Sequence, residues 1–338
     1  MKNIIYFLYF IVTTNYKELF QKIKCISGEI NKSKLKIIFD MLRVSLKYGA
    51  SFKDYWMYGF YNLKDDEINS YVTTGRLYEF YSRLNDKEYI KFFRDKKRFN
   101  EKFQKYIGRE FKLINEVDNT SLKEWLLKRD IIMAKPNYGV SGKGIERIKI
   151  KDWPDIDDLI SHLRLKKLEL LEDCIIQHPI MNELNPSCVN SIRMVTVQVD
   201  NKIDIISAVL RIGIKNHVDN FSAGGIAAPI DIETGTVYKP AVKKMGSEKY
   251  IAHPVTTTPI TGFKIPYWKE VKKMINDACS VVPQVKTIGW DIAISENGPI
   301  IIEGNDNWDK DAFQIPYGEG RQYVLNRYNF SNGLMGEK

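Results

Sequence analysis

Hydrophobic and polar positions alternate with two different periods along this chain, and the change of period divides it. From Asn15 to about Asn85 apolar residues recur at helical spacing, with Leu35, Ile38, Phe39, Leu42 and Leu46 as one stripe and a break at Tyr48-Gly49-Ala50-Ser51. Tyr55, Trp56, Tyr58, Phe60 and Tyr61 follow as an aromatic cluster suited to packing, since such rings bury large areas. Asp95 to Asn100 opens a further helix in which Phe99, Phe103 and Ile107 recur at four-residue spacing before Gly108. Beyond it the two-residue period of strands takes over. Ile131–Lys135 and Ile145–Ile150 flank a loop with three glycines, and a helix is expected over 154–170, capped by Asp152. Residues 174–180 read as a buried strand running into a loop, and 191–199 and 203–213 as a hairpin. A second hairpin over 226–242 turns at Glu233-Thr234-Gly235, and Pro266 starts a helix that runs to about Val282. Last come Ile288–Ser295 and Pro299–Gly304, joined by Glu296-Asn297-Gly298, as a hairpin.

This last hairpin carries Asp291 on one strand and Glu303 and Asn305 on the other. The latter two are separated by one residue and so lie on one side of their strand. A carboxylate, a carboxylate and an amide suit Mg²⁺, which takes hard oxygen donors and keeps water or phosphate oxygens in its other positions. The stretch Lys135-Pro136-Asn137-Tyr138-Gly139-Val140-Ser141-Gly142-Lys143-Gly144 has the form of a phosphate cradle. Its glycines let backbone N–H groups wrap an anion, and Lys135 adds a fixed positive charge. It is neither a Walker A loop nor a dinucleotide fingerprint, and no kinase H-R-D or D-F-G element follows. Arg193 and Arg211 stand among apolar strand neighbours, where an arginine needs a carboxylate or phosphate partner.

Composition narrows the picture. The 338 residues, 44% hydrophobic, are enough for two domains or one large composite. The net charge of +9 is contributed entirely by residues 1–110, a distribution that suits anionic lipid, an acidic substrate or a solvated basic helix face. No nucleic-acid motif accompanies it. Four cysteines, Cys25, Cys174, Cys188 and Cys279, show no zinc or paired spacing, which fits a reducing compartment. Residues 4–12 are continuously apolar but far short of the roughly 20 needed to span a bilayer, and no small-x-small cleavage site follows. They are read as retained, either buried against the body, the preferred reading, or lying in a membrane interface beside Lys17 to Lys36.

In order, a lysine at a helix start, a lysine-plus-glycine hairpin, a strand leading to a glutamate, two strand arginines and a D…E-x-N hairpin resemble the ATP-grasp superfamily over about residues 90–310. More narrowly, the K-P-N-Y-G-V-S-G-K-G loop, the H-P…T-G-F-K-I-P-Y-W segment and G-W-D-I-A-I-S-E-N-G-P-I-I-I-E-G-N look like the sugar-transfer-associated ATP-grasp family. The resemblance implies an α+β ATP-grasp fold, two α/β subdomains clasping ATP between antiparallel sheets. A helical cap would occupy residues 1–90, the ATP-grasp domain 91–325 with its lid at about 120–180, and a tail 326–338.

It also implies roles. Lys96, with Lys97 as the alternative, and Lys135 would contact ATP phosphates under a lid formed by Gly139, Ser141, Gly142, Lys143 and Gly144. Gln177, His178 and Ile180 would line the adenine, Glu183 would hold the ribose, and Asn220 would lie beside the nucleotide. Arg193 and Arg211 would meet phosphate and acyl phosphate, and Asp291, Glu303 and Asn305 would bind Mg²⁺, with Mn²⁺ as a substitute. The implied activity is ATP-dependent ligation of a carboxylate to an amine, acting on a small-molecule or lipid-linked sugar carboxylate in surface-polysaccharide synthesis. The expected place is the cytoplasm, at the inner membrane face if the N-terminal region docks there. A sugar phosphotransferase and a non-catalytic nucleotide-binding scaffold are the alternatives. One departure stands out: the family places glycine or proline soon after the final asparagine, where this chain has Asp306-Asn307-Trp308-Asp309.

Overall fold

The computed structural model describes residues 2–139, 144–200, 202–214, 221 and 224–328. The chain forms two units, one of residues up to 84 together with those from 309 onward, the other of residues 85–308. The division therefore falls a few residues before the expected boundary at 90, and the segment after Asp309 clusters with the helical unit instead of extending the larger one. Its anchor is polar: Lys310 Nζ lies 3.0 Å from Asp54 Oδ1 and 3.1 Å from Asp311 Oδ1, and Gln314 Oε1 accepts from Val72 N at 2.6 Å.

The helical unit begins with α1 (Lys2–Thr13), α2 (Tyr16–Ile30) and α3 (Lys34–Tyr48). Asn15 and Ser33 cap α2 and α3, and Gly49 ends α3 in the left-handed region at φ 64°. The core face of α3 is Ile37, Met41, Val44 and Tyr48. This corrects the sequence stripe, because Leu35, Phe39 and Leu46 point outward and Ile38 and Leu42 are half-buried. The helix has two apolar stripes, and periodicity alone cannot say which one packs. Tyr55 and Phe60 are buried in this unit's core, with Trp56, Tyr58 and Tyr61 packed against it.

In the larger unit every strand pair is antiparallel. A four-stranded sheet has the order β1 (Phe111–Leu113), β4 (Leu170–Asp173), β2 (Ile131–Lys135), β3 (Glu146–Lys149). Helices Asn119–Leu127 and Ile156–Leu165 supply Leu122, Leu126, Leu159 and Leu163 to its core. The second of these is capped by Asp155 rather than Asp152, and the strand expected at 174–180 lies earlier, at Leu170–Asp173. Leu168, Leu170 and Leu171 are buried, which is what moves the strand forward.

The seven-stranded sheet has the order β11 (Gly298–Asn305), β10 (Thr287–Ser295), β5 (Ser191–Val199), β6 (Lys202–Ile212), β7 (Ile226–Pro229), β8 (Ala241–Lys243), β9 (Lys249–Tyr250). Helix Trp268–Cys279 packs Val271, Ile275 and Ala278 into its core. The indole of Trp290, fully buried, meets Phe93 and Phe103 edge-on and donates to Thr196 Oγ1 at 3.0 Å.

Candidate functional site

The site is built on a β-bulge. Pairing between β10 and β11 runs Ile292↔Ile301 and then Asp291↔Glu303, so one residue, Ile302, is left over. That extra residue turns Glu303 onto the face of Asp291; without it, the strict two-residue alternation would place Ile302 there. On the other side of β10, Asp291 pairs with Arg193 of β5. Arg193, Asp291 and Glu303 thus form one row across three strands, with neighbours about 5 Å apart at Cβ. Asn305 follows two residues after Glu303, opposite Gly289. Gly289 has no alternative there, since a Cβ would stand 2.5 Å from Cβ of Trp308.

Arg109 holds the bulge. Its Nη1 donates to Ile301 O at 2.9 Å and its Nη2 to Ile302 O at 3.0 Å and to Glu172 Oε1 at 3.0 Å. Glu172, on β4, also accepts from Asn100 Nδ2 at 2.7 Å and forms an ion pair with Lys135. Burial pushes the Glu172 carboxyl upward, but Lys135 and Arg109 outweigh it and hold the group well below the usual carboxylate range. One carboxylate of the small sheet therefore fixes both the cradle lysine and the clamp on the large sheet.

The loop after Lys135 is tied to the helix Lys96–Lys102. Asp95 caps that helix and accepts from Asn137 Nδ2 at 3.2 Å and Tyr138 OH at 2.9 Å, while Asn137 Oδ1 accepts from Lys97 N at 2.9 Å. Lys96 Nζ donates to Gly139 O at 3.0 Å, and burial lowers its pKa. Lys97 points the other way, to Glu116 and Glu101. Of the two candidate lysines it is Lys96 that faces the site.

These groups surround a cavity of about 340 Å³ whose lining includes Lys96, Lys135, Gly139, Glu303 and Asn305 from the sequence-derived set. Asp306 and Asn307, from the segment that departs from the family pattern, join them, as do Arg94, Asn100 and Glu172, which were not singled out by sequence. Arg94 sits two residues before Lys96, and its Nη2 lies 2.8 Å from Asp306 Oδ2. Asn85 Nδ2 holds Asp306 O at 2.9 Å and Trp308 Nε1 donates to Thr287 Oγ1 at 2.9 Å, so the unusual Asp306-Asn307-Trp308 segment is fixed at both ends.

Asp291 is not open to the cavity. Its Oδ1 accepts from Arg193 Nε at 2.5 Å, and its Oδ2 lies 3.0 Å from Arg193 Nη2 and 2.9 Å from Arg211 Nη2. Burial raises its pKa, but the two guanidiniums prevail and the net shift is downward. Glu303 goes the other way, raised by burial and by Asp291 beside it. Asn305 Nδ2 donates to Glu303 Oε1 at 3.3 Å and to Gly289 O at 3.4 Å, so its carbonyl oxygen is not used in either bond.

The residues expected around the adenine do not line this cavity. The side chain of Gln177 is buried and consumed by Asn182, Asn185, Cys188 and Asn190, a lock on the 177–190 loop. His178 caps the helix Pro179–Leu184 through Nδ1, Ile180 is 42% exposed, and Glu183 is exposed with its backbone O accepting from Thr258. Gln177 pairs with Ser295, four residues from Asp291 and so about 13 Å along β10, and none of the four lines the cavity. Gly144 closes the loop at φ 75°. Ser141, Gly142, Lys143 and Asn220 lie outside the described residues. Among the described residues, no helix is long and apolar enough to cross a membrane.

Comparison with known proteins adds the family. Similar solved structures include the ATP-grasp ligase PsnB complexed with minimal precursor, at 12% identity over 75% of this chain and 67% of that one, with a TM-score of 0.44. An L-amino acid ligase from Bacillus licheniformis is 11% identical over 64% of this chain, with a TM-score of 0.39, and this chain spans 41% of that protein. The D-alanine–D-alanine ligase from Bacillus anthracis is 14% identical over 69% of this chain and 64% of that one, also with a TM-score of 0.39. No curated protein sequence matches. The family described as sugar-transfer associated ATP-grasp matches residues 76–329, three-quarters of the chain, and the protein belongs to that family.

Proposed function

We propose that this protein is an ATP-dependent carboxylate–amine ligase that works through an acyl phosphate. Its substrates in this reading are a small-molecule or lipid-linked sugar carboxylate and an amino acid or other amine, joined in the cytoplasm during surface-polysaccharide synthesis. The observation that carries the reading is the shared cavity, where Lys96 and Lys135 from one side meet Glu303 and Asn305 from the other. Two cations suit the phosphates of ATP, and a buried carboxylate with a raised pKa suits a divalent cation.

The donor set fits Mg²⁺ or Mn²⁺. Glu303 and the carbonyl oxygen of Asn305 would hold the ion, with Asp291 one register position away. When bound, the ion supplies charge neutralisation to the ATP phosphates. Glu172 holds Lys135 in place through an ion pair, and Arg109 keeps the bulge that aims Glu303. The carboxylate substrate attacks the γ-phosphorus, the bond to the β-phosphate oxygen breaks, and ADP leaves. The amine then attacks the acyl carbon, inorganic phosphate departs with an oxygen of the original carboxylate, and the amine loses a proton. In this reading Arg193 and Arg211, joined through Asp291, are the residues that balance charge on the transferring group.

The test is a screen of purified protein with Mg-ATP against paired uronic acids and amines, following phosphate and the mass of the product. An amide product with stoichiometric phosphate supports the ligase. A phosphorylated sugar without phosphate release replaces it with the phosphotransferase. Unchanged in-cell function of Asp291→Ala and Glu303→Ala variants points to a scaffold.

A further inference from the structure

Helix α1 is apolar around its whole circumference from Ile4 to Val12, a pattern that belongs to a helix covered on all sides. Only half of it is covered. Phe10 is buried in the helical unit's core, with Tyr6, Phe7 and Ile11 packed against that core. The opposite half, Ile4, Ile5, Leu8, Tyr9 and Val12, is 53–83% exposed, at the helical spacing of a single stripe. The stripe continues into α2. Tyr16 OH donates to Ile11 O at 2.6 Å and the Tyr16 ring lies 6.5 Å from that of Phe20, itself 60% exposed. The result is a contiguous aliphatic and aromatic face of a kind that soluble surfaces seldom leave open.

Charge identifies what covers it. Between Asn15 and Lys36 stand Lys17, Lys22, Lys24, Lys32, Lys34 and Lys36 against Glu18 and Glu29 alone. None of the six lysines forms an ion pair among the described residues, whereas Arg43 and Lys47 of α3 are held by Asp65. A second copy of this face would bring like charges together, and a nucleic acid would leave the apolar stripe unmatched. An anionic bilayer surface satisfies both parts: acyl chains and glycerol take Leu8, Val12, Tyr9 and Phe20, and lipid phosphates take the lysines. At 12 residues α1 is about 18 Å long, well short of a roughly 30 Å hydrocarbon core, so it lies in the interface plane.

We infer that the outer face of α1, with Tyr16, Phe20 and the lysines of α2, docks the protein onto an anionic lipid surface. The test is co-flotation of the full chain with phosphatidylcholine vesicles and with vesicles in which about a third of the lipid is phosphatidylglycerol, at low and high salt. The expected result is binding to the second kind only, weakened by salt. Lys17→Glu/Lys24→Glu should lower it roughly tenfold or more, and Leu8→Glu/Val12→Glu should abolish it, with circular dichroism and melting temperature unchanged. Because the lysine pair is exposed or half-exposed, that variant keeps the test valid if the Leu8/Val12 variant is less stable. Absence of binding to the anionic vesicles, or equal binding by the folded lysine variant, overturns the inference. A concentration-dependent dimer by light scattering that Leu8→Glu/Val12→Glu dissolves, without vesicle binding, assigns the face to a second copy instead.

Discussion

Two carboxylates face each other across one register position of the same hairpin, and they behave in opposite ways. Asp291 is flanked by Arg193 and Arg211 and is held below its ordinary pKa; Glu303 has Asp291 for a neighbour and is pushed above its own. Both are desolvated, so burial alone does not separate them. What differs is compensation. Two guanidiniums held directly against Asp291 outweigh its burial, while Arg193, Asn305 and Lys135 only partly offset the burial of Glu303 and its repulsion by Asp291. One anchors two guanidiniums; the other is the group to which the proposed function gives a metal ion.

Breaking the anchor should have the largest effect. Asp291→Ala leaves two buried guanidiniums without their carboxylate, and a loss of about 3–5 kcal/mol in chemical denaturation is expected. A change within experimental scatter would mean that the remaining partners of the arginines, Ser191 for Arg211 among them, suffice without Asp291. Glu303→Gln should act on binding instead: Mg-nucleotide affinity measured by calorimetry should fall at least about tenfold, with stability unchanged or improved.

The pH dependence follows from the two signs. The contribution of Asp291 is present above its unfolded value, near pH 4, and is lost as pH falls through its depressed folded pKa. Glu303, being raised, contributes below its unfolded value and loses that contribution as pH rises through its folded pKa. Urea midpoints of wild type and Glu303→Gln should therefore diverge as pH rises above about 4, in favour of the variant. Parallel curves would remove the distinction between the two carboxylates. The smallest effect belongs to Lys97→Ala, which should leave nucleotide affinity where it is, whereas Lys96→Ala should weaken it; equal losses would contradict the outward orientation of Lys97.

The hairpin, the cradle strands and the 191–212 pair were legible because alternation and turn residues act locally. Asp291 and Glu303 were legible as neighbours on one hairpin but not in their register, since it depends on a bulge at Ile302 that the apolar run Ile300-Ile301-Ile302 does not mark. Arg109 and Glu172 left no signal at all. Arg109 acts on backbone carbonyls nearly two hundred residues away, and Glu172 sits in a strand that sequence placed too late. The partners of the Gln177 side chain were not legible either, since an amide in a polar-looking loop can be spent on the loop's own backbone.

The central claim is that a carboxylate oxygen is phosphorylated in this cavity and leaves on phosphate. The direct measurement uses a hit carboxylate labelled with ¹⁸O in its carboxyl group, together with the amine and Mg-ATP, followed by mass analysis of the phosphate formed. One ¹⁸O in each phosphate is the predicted result. Unlabelled phosphate, or label retained in a phosphorylated sugar, would contradict it.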